Sequence, residues 1–180
     1  MSGLDRLNDL DDEEATTELL TCCGSPVWAR QMARLRPFLD DGELLEAGNR
    51  VWWSLNPEDW LEAFHAHPRI GERIGERTAE REQDARAAAW SAQEQAGATS
   101  AADGTAAALA EGNRAYEQRF GYIYIVSAAG KTADEMLSIL RERLANDPES
   151  ELRVAAGEQA KITRLRLEKL LAEDGSRPAA

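Results

Sequence analysis

Helix boundary signals recur along the whole chain, and they constrain its fold more than any other feature. Ser25-Pro26 and Asn56-Pro57 each join a capping side chain to a proline suited to the first helical turn. Thr132 to Glu135 has the pattern of a capping box. Asn146-Asp147-Pro148 opens a last segment with apolar residues at helical spacing. The sequence therefore predicts an all-α fold, a bundle of about seven to eight helices.

One segment, Tyr122 to Val126, resembles a strand by residue type, because all five residues favour β structure. The run has no partner strand elsewhere, and it continues a helical pattern that begins near Ala106. A fully buried helix gives the same apolar run as a buried strand. We therefore predict that this segment is helical.

Composition limits the class of protein. The 180 residues include 21 Lys plus Arg and 33 Asp plus Glu, so the formal net charge is −12. This charge argues against a nucleic-acid binder and against docking on anionic lipid. No run approaches the ~20 apolar residues of a membrane helix. We expect a single domain over residues 1–174 and a mobile tail over 175–180.

The two cysteines, Cys22 and Cys23, are adjacent, so they cannot build a disulfide framework. The acidic N-terminus lacks the layout of a secretory signal. Both features favour a protein of the reducing cytoplasm. A buried role for the thiols is favoured over a nucleophilic one, because no base lies nearby in sequence.

His65 and His67 stand just before a predicted turn formed by Pro68 and Gly71. A histidine held at a rigid turn can be aimed at a substrate. A surface histidine beside a helix-stopping proline is the commoner outcome of such a pattern. A metal site would need a carboxylate to complete it, because the chain has no third histidine.

Two further groups of residues suit ligand binding. On a helix, Ser91, Glu94 and Gln95 share one face and offer a hydroxyl, a carboxylate and an amide. A solvated polar stripe would give the same pattern. Arg119 directly precedes a long apolar run, where it can bind a substrate carboxylate or simply extend to solvent.

Taken together and in this order, these motifs resemble one family, the 2-oxo-4-hydroxy-4-carboxy-5-ureidoimidazoline (OHCU) decarboxylases of urate breakdown. The resemblance extends from about Leu10 to Leu170. The His-Pro-Arg-Ile-Gly and Ser-x-x-Glu-Gln elements at this separation are its most specific part. The motifs are Cys22-Cys23-Gly24-Ser25, Asp59 to Phe64, His67 to Gly71, Trp90-Ser91 with Glu94-Gln95, Arg119-Phe120-Gly121 and Ala128 to Lys131.

The resemblance implies an all-helical homodimer that forms (S)-allantoin from an anionic substrate without a cofactor or a metal. It places the catalytic histidine at His67. It also implies a set of substrate-binding residues: Pro68, Ser91, Glu94, Gln95, Arg119 and the backbone of Gly121, Tyr122 and Ile123. A helical interaction module without catalysis, and a related lyase acting on another ureido acid, stay open as alternatives.

Overall fold

The computed structural model describes residues 2–71, 82–99 and 102–172. Over these residues it contains no β-strand and ten helices: α1 (Gly3–Asp9), α2 (Asp12–Leu20), α3 (Pro26–Arg34), α4 (Asp41–Ser54), α5 (Pro57–His65), α6 (Glu82–Glu94), α7 (Ala96–Thr99), α8 (Asp103–Phe120), α9 (Ala133–Arg143) and α10 (Pro148–Ala172). The prediction of an all-α fold is confirmed. The helix count exceeds the predicted seven to eight, and α7 is only four residues long.

The chain divides into two compact units. One contains the residues up to Ala63 together with those from Ala160 onward, and the other runs from Phe64 to Gln159. A single domain over 1–174 stays a prediction, and the tail predicted over 175–180 lies outside the described residues. In the part of the chain that is described, no helix combines the length and the apolar character needed to cross a bilayer.

Helices begin where the capping residues predict. The Ser25 hydroxyl accepts a hydrogen bond from a backbone N–H in the first turn of α3, and Pro26 is the first residue of that helix. Thr132 and Glu135 form a reciprocal capping box at the start of α9. α5 and α10 both begin at a proline. Each cap satisfies a backbone donor that helical geometry leaves without a partner.

The segment from Tyr122 to Val126 is not helical, and our prediction for it is wrong. α8 ends at Phe120, because Gly121 adopts a φ of 81° and caps the helix in the left-handed region. The segment that follows has no regular secondary structure, yet it is buried. The Ile125 carbonyl accepts a 2.7 Å hydrogen bond from Arg143 Nη1, so a side chain supplies a partner that a helix would have supplied.

The first unit is built around buried tryptophans whose ring N–H groups are satisfied. Trp28 is fully buried and donates to the backbone carbonyl of Gly48 at 3.0 Å. Trp60 donates to the carbonyl of Trp52, also at 3.0 Å. Because the polar edge of each indole has a partner, the rings can be buried without leaving an unsatisfied donor.

Cys22 and Cys23 also lie in this unit, as free thiols that are 1% exposed or less. The buried role predicted for them is confirmed. Burial raises the pKa of Cys23 to about 11. Protonated and shielded thiols are poor nucleophiles.

We expect both thiols to react slowly with a disulfide reagent in the native protein at pH 8, and to react fully once guanidinium unfolds it. The free energy of unfolding should fall as pH rises from the ordinary thiol pKa of 9.0 toward 11, since only the unfolded chain can then ionise Cys23. Colorimetric thiol titration with and without denaturant checks the reactivity. Rapid stoichiometric labelling of the native protein would contradict the burial.

The second unit contains a buried polar network centred on Glu151, which is fully buried. Its carboxylate accepts hydrogen bonds from Arg143 Nε at 2.8 Å and Nη2 at 2.6 Å, from Asn146 Nδ2 at 2.7 Å and from the Tyr116 hydroxyl. The guanidinium carbon lies 4.9 Å from the ring centroid of Tyr124. Burial raises the pKa of Tyr116, which keeps its hydroxyl protonated as a donor. The network joins α8, α9, α10 and the segment after Gly121.

Candidate active site

A short turn follows α5 and carries His67 and Pro68. The backbone N–H of His67 donates to the carbonyl of Phe64 at 3.1 Å, just past the end of the helix. Gly71 then adopts a φ of 83°, in a region that favours glycine. His67 is half-buried, whereas His65 is exposed. The turn therefore partly covers one histidine and leaves the other in solvent.

Gln95 holds this turn in place. Its amide nitrogen donates to the carbonyl of Pro68 at 3.5 Å, and its amide oxygen accepts from the N–H of Gly71 at 3.3 Å. Asn113 of α8 adds a third bond, from Nδ2 to the carbonyl of Ile70 at 3.0 Å. Gln95 and Asn113 are both buried. The structure thus brings Gln95 together with the histidine turn, and the side chain of Gln95 hydrogen-bonds the backbone of that turn.

The imidazole of His67 contacts Gln159 of α10, a residue that sequence reasoning missed. Nε2 of His67 lies 2.7 Å from Oε1 of Gln159, which is fully buried. An amide oxygen only accepts hydrogen bonds, so Nε2 is the donor. The sequence did contain a signal for it. Gln159 lies four residues after Ala155 and three before Ile162, so it is a polar residue on the buried apolar face of α10.

Ser91 and Glu94 lie on α6, one turn or less before Gln95. Ser91 is buried, and Glu94 is half-buried. Gln95 lies just past α6, and its backbone N–H donates to the carbonyl of Ser91 at 3.0 Å, so the helical spacing of the three residues continues. The burial of Ser91 and Gln95 excludes a solvated stripe. It leaves the carboxylate of Glu94 as the most accessible group of the three.

Glu94 faces a cavity of about 520 Å³, to which Gly97, Lys131 and Asp134 also contribute. Among the described residues that line this cavity, Glu94 alone was a predicted site residue. A Cβ atom at Gly97 would clash with the carbonyl oxygen of Lys131, so glycine permits the close approach of the two segments. The cavity therefore has two carboxylates and an ammonium group among its lining residues.

Arg119 is exposed at the end of α8. Its Nη2 donates to the carbonyl of Asn146 at 2.8 Å, and its guanidinium carbon lies 5.2 Å from the ring centroid of Phe120. These described contacts do not include His67. Among the described residues, Arg119 therefore has no hydrogen bond to the histidine turn, in contrast to Gln95.

Tyr122 and Ile123 are buried core residues. The ring of Tyr122 packs 5.4 Å from the ring of Phe64, measured between centroids, and Phe64 lies three residues before His67. Burial raises the pKa of Tyr122, and its hydroxyl has no hydrogen-bond partner of good geometry among the described residues. The side chains pack inward, so any ligand contact from this segment would come from its backbone.

Within the described ranges, no three His, Cys, Asp or Glu side chains are grouped so that they could hold a metal ion. A reaction without metal or cofactor stays an expectation.

The family model described as OHCU decarboxylase matches residues 8–168. The chain belongs to the OHCU decarboxylase family. The resemblance carried by the motifs is thereby confirmed, and it covers both compact units. The match includes each residue predicted for the site, from His67 to Ile123.

Two curated relatives are longer than this chain. The uric acid degradation bifunctional protein TTL of Arabidopsis thaliana is 41% identical over 157 residues, which is 87% of this chain and 47% of the relative. The bifunctional protein PucL of Bacillus subtilis is 26% identical over 97% of this chain and 34% of its own length. The chain therefore spans about half or less of these two proteins.

A third relative has a similar length. The 2-oxo-4-hydroxy-4-carboxy-5-ureidoimidazoline decarboxylase of Haloferax volcanii is 26% identical over 165 residues, covering 91% of this chain and 93% of the relative. Among solved structures, an OHCU decarboxylase crystallised in the presence of (S)-allantoin is 35% identical. It matches with a TM-score of 0.73 over 87% of this chain and 99% of that one. An (S)-allantoin synthase at 18% identity and a TM-score of 0.66 supports the fold.

Proposed function

We propose that this chain decarboxylates OHCU to (S)-allantoin in urate breakdown, with His67 as the acid and without a cofactor or a metal. The observation that carries the proposal is the family match over residues 8–168. The choice of His67 is supported by its turn, which Gln95 hydrogen-bonds, and by its contact with Gln159. The solved relative crystallised in the presence of (S)-allantoin supports the choice of product.

The chemistry of the substrate explains why the step needs no electron sink from a cofactor. The bond between the ring and its carboxylate breaks, CO₂ leaves, and the electron pair passes into the π-system of the ring. The hydroxyl-bearing carbon becomes a carbonyl carbon, and its hydroxyl proton passes through water to the ring nitrogen that received the electron pair. The neighbouring carbon, which carries the ureido group, then takes a proton and becomes the stereocentre of allantoin.

His67 supplies that proton. In its charged form the imidazolium stabilises the negative charge that develops as CO₂ leaves, and it then transfers a proton to one face of the ring. Delivery from one side sets a single handedness in the product. Water returns a proton to the imidazole before the next cycle.

The remaining predicted residues bind the substrate in this proposal. Ser91, Glu94 and Gln95 hydrogen-bond the ureido and ring N–H and C=O groups, and Pro68 contacts the ring from the histidine turn. The backbone of Gly121, Tyr122 and Ile123 closes the other side. These contacts orient the ring so that His67 reaches one face only.

The substrate is an anion, whereas the chain carries a net charge of −12. Arg119 offsets this repulsion in our proposal. Arg69 is a poorer choice, because it forms a two-pronged ion pair with Glu117, at 2.5 Å and 3.0 Å. That pairing helps to hold the pKa of Glu117 below its ordinary value.

We also propose that the protein is a cytoplasmic homodimer, as the family resemblance implies. The free, buried thiols of Cys22 and Cys23 suit a reducing compartment.

Freshly prepared OHCU, followed by circular dichroism as allantoin forms, tests the activity. The substrate decays without help, so optical activity separates catalysis from background better than rate does. We expect optically active allantoin, and the same result after chelator treatment. Turnover of another ureido acid with OHCU left untouched would favour a related lyase, and no turnover of either would favour a helical interaction module.

Replacing Glu94 with alanine should lower kcat/KM roughly tenfold to a hundredfold, because a charge-assisted hydrogen bond to the substrate is lost. This loss should appear mainly as a higher KM, with kcat less affected. Glu111→Ala is the matched control, since Glu111 is an exposed carboxylate on α8. Steady-state kinetics on both variants checks the assignment. An unchanged kcat/KM in Glu94→Ala would remove Glu94 from the site.

A further inference from the structure

We infer that Gln159 is a positioning residue, which fixes the tautomer and the ring orientation of His67. The inference rests on the proposed function, because the state of His67 affects turnover only if His67 is the acid. It adds a residue from the far end of the chain, since His67 and Gln159 are 92 positions apart.

The amide of Gln159 is shielded from solvent. It is fully buried within the 25-residue helix α10. The neighbouring Glu158 links the same part of α10 to the segment after Gly121, because its Oε2 accepts a hydrogen bond from the backbone N–H of Ser127 at 2.7 Å. Water does not compete for a fully buried amide oxygen, so its hydrogen bond to His67 is favoured whenever the unit is folded.

The direction of this bond has a chemical consequence. Because Oε1 of Gln159 can only accept, neutral His67 carries its hydrogen on Nε2. Nδ1 is then the nitrogen that gains and loses a proton during turnover. A carboxylate in the place of Gln159 would stabilise the charged imidazolium and so make its Nδ1 proton harder to transfer. A neutral amide does not have this effect.

Nuclear magnetic resonance can read the tautomer directly, because the chain has only two histidines and His65 is exposed. In ¹⁵N-labelled wild type, long-range ¹H–¹⁵N spectra should show His67 as the Nε2–H tautomer at a pH where it is neutral. His65 serves as the internal reference. An Nδ1–H tautomer in wild type would overturn the inference without any variant.

Two substitutions separate a positioning role from a structural one. Gln159→Met keeps the length and removes the acceptor, so His67 should lose its single tautomer. We expect kcat to fall roughly tenfold to a hundredfold, with KM within about twofold. Gln159→Glu restores an acceptor, so it should keep the Nε2–H tautomer and recover part of kcat. Gln118→Met, an exposed glutamine on α8, is the control.

A folded Gln159→Met protein whose His67 spectrum matches wild type would overturn the inference, even if kcat were lower. If Gln159→Met does not fold, the wild-type spectrum and the Gln159→Glu variant test the inference instead. Loss of the Nε2–H tautomer in Gln159→Glu would contradict it. Failure of the proposed function looks different. Wild type would then form no excess of one allantoin enantiomer, whatever the tautomer of His67.

Discussion

Replacing His67 with asparagine is expected to lower kcat for allantoin formation by at least about a hundredfold, because a general acid contributes 10²–10⁴-fold to such a step. Asparagine has no group that can donate a proton to carbon at neutral pH. The variant should stay folded, since His67 is only half-buried and lies in a turn outside the helices. The loss of its bond to the buried Gln159 should cost about 1 kcal/mol of stability.

His65→Asn is the matched control. His65 is two residues away, at the last position of α5, and it is exposed. Its kcat and KM should stay close to those of wild type. Thermal unfolding of both variants separates lost chemistry from lost folding. Near-normal, stereoselective turnover by a folded His67→Asn protein would remove His67 as the acid.

Replacing Arg143 with methionine should have the largest effect on stability. It leaves the fully buried carboxylate of Glu151 without the cation that donates two hydrogen bonds to it. Removing one partner of a buried pair costs about 3–5 kcal/mol, which for a chain of this size lowers the Tm by roughly 6–20 °C. The carbonyl of Ile125 would lose its donor as well.

Arg164→Met is the control for a lost arginine. Arg164 pairs with Glu168 across one turn of α10, and both side chains are largely exposed, at 60% and 46%. Its loss should cost at most about 0.5 kcal/mol. The double variant Arg143→Met with Glu151→Met should be less destabilised than Arg143→Met alone, because no unpaired charge remains buried. Equal Tm losses in Arg143→Met and Arg164→Met would contradict the role of the network.

Local signals in the sequence were sufficient to predict an all-helical fold and the starts of several helices. Caps such as Ser25 and Thr132 act within one helical turn, so their pattern is visible in a few consecutive residues. The segment after Gly121 was misassigned for the opposite reason. What permits its irregular backbone to be buried is the guanidinium of Arg143, about twenty residues later, and apolar periodicity carries no information about such a partner.

In the candidate site, too, features set by neighbouring residues were predictable and features set by distant residues were not. The turn at Pro68 and the polar face of α6 follow from residue types and short spacings. Gln95 was predicted as a ligand-binding residue, and the structure shows in addition that its amide supports the turn. Gln159 could not be found locally, because its link to His67, 92 positions earlier, depends on how the first half of α10 packs within the second unit.

The enantiomeric composition of the allantoin formed from fresh OHCU tests the central claim most directly. Chiral chromatography of the product, with wild type, His67→Asn and buffer compared at equal conversion, measures it. We expect a large excess of the S enantiomer from wild type, and near-racemic product from His67→Asn and from buffer. Racemic product from wild type, formed at the rate seen in buffer, would contradict the account.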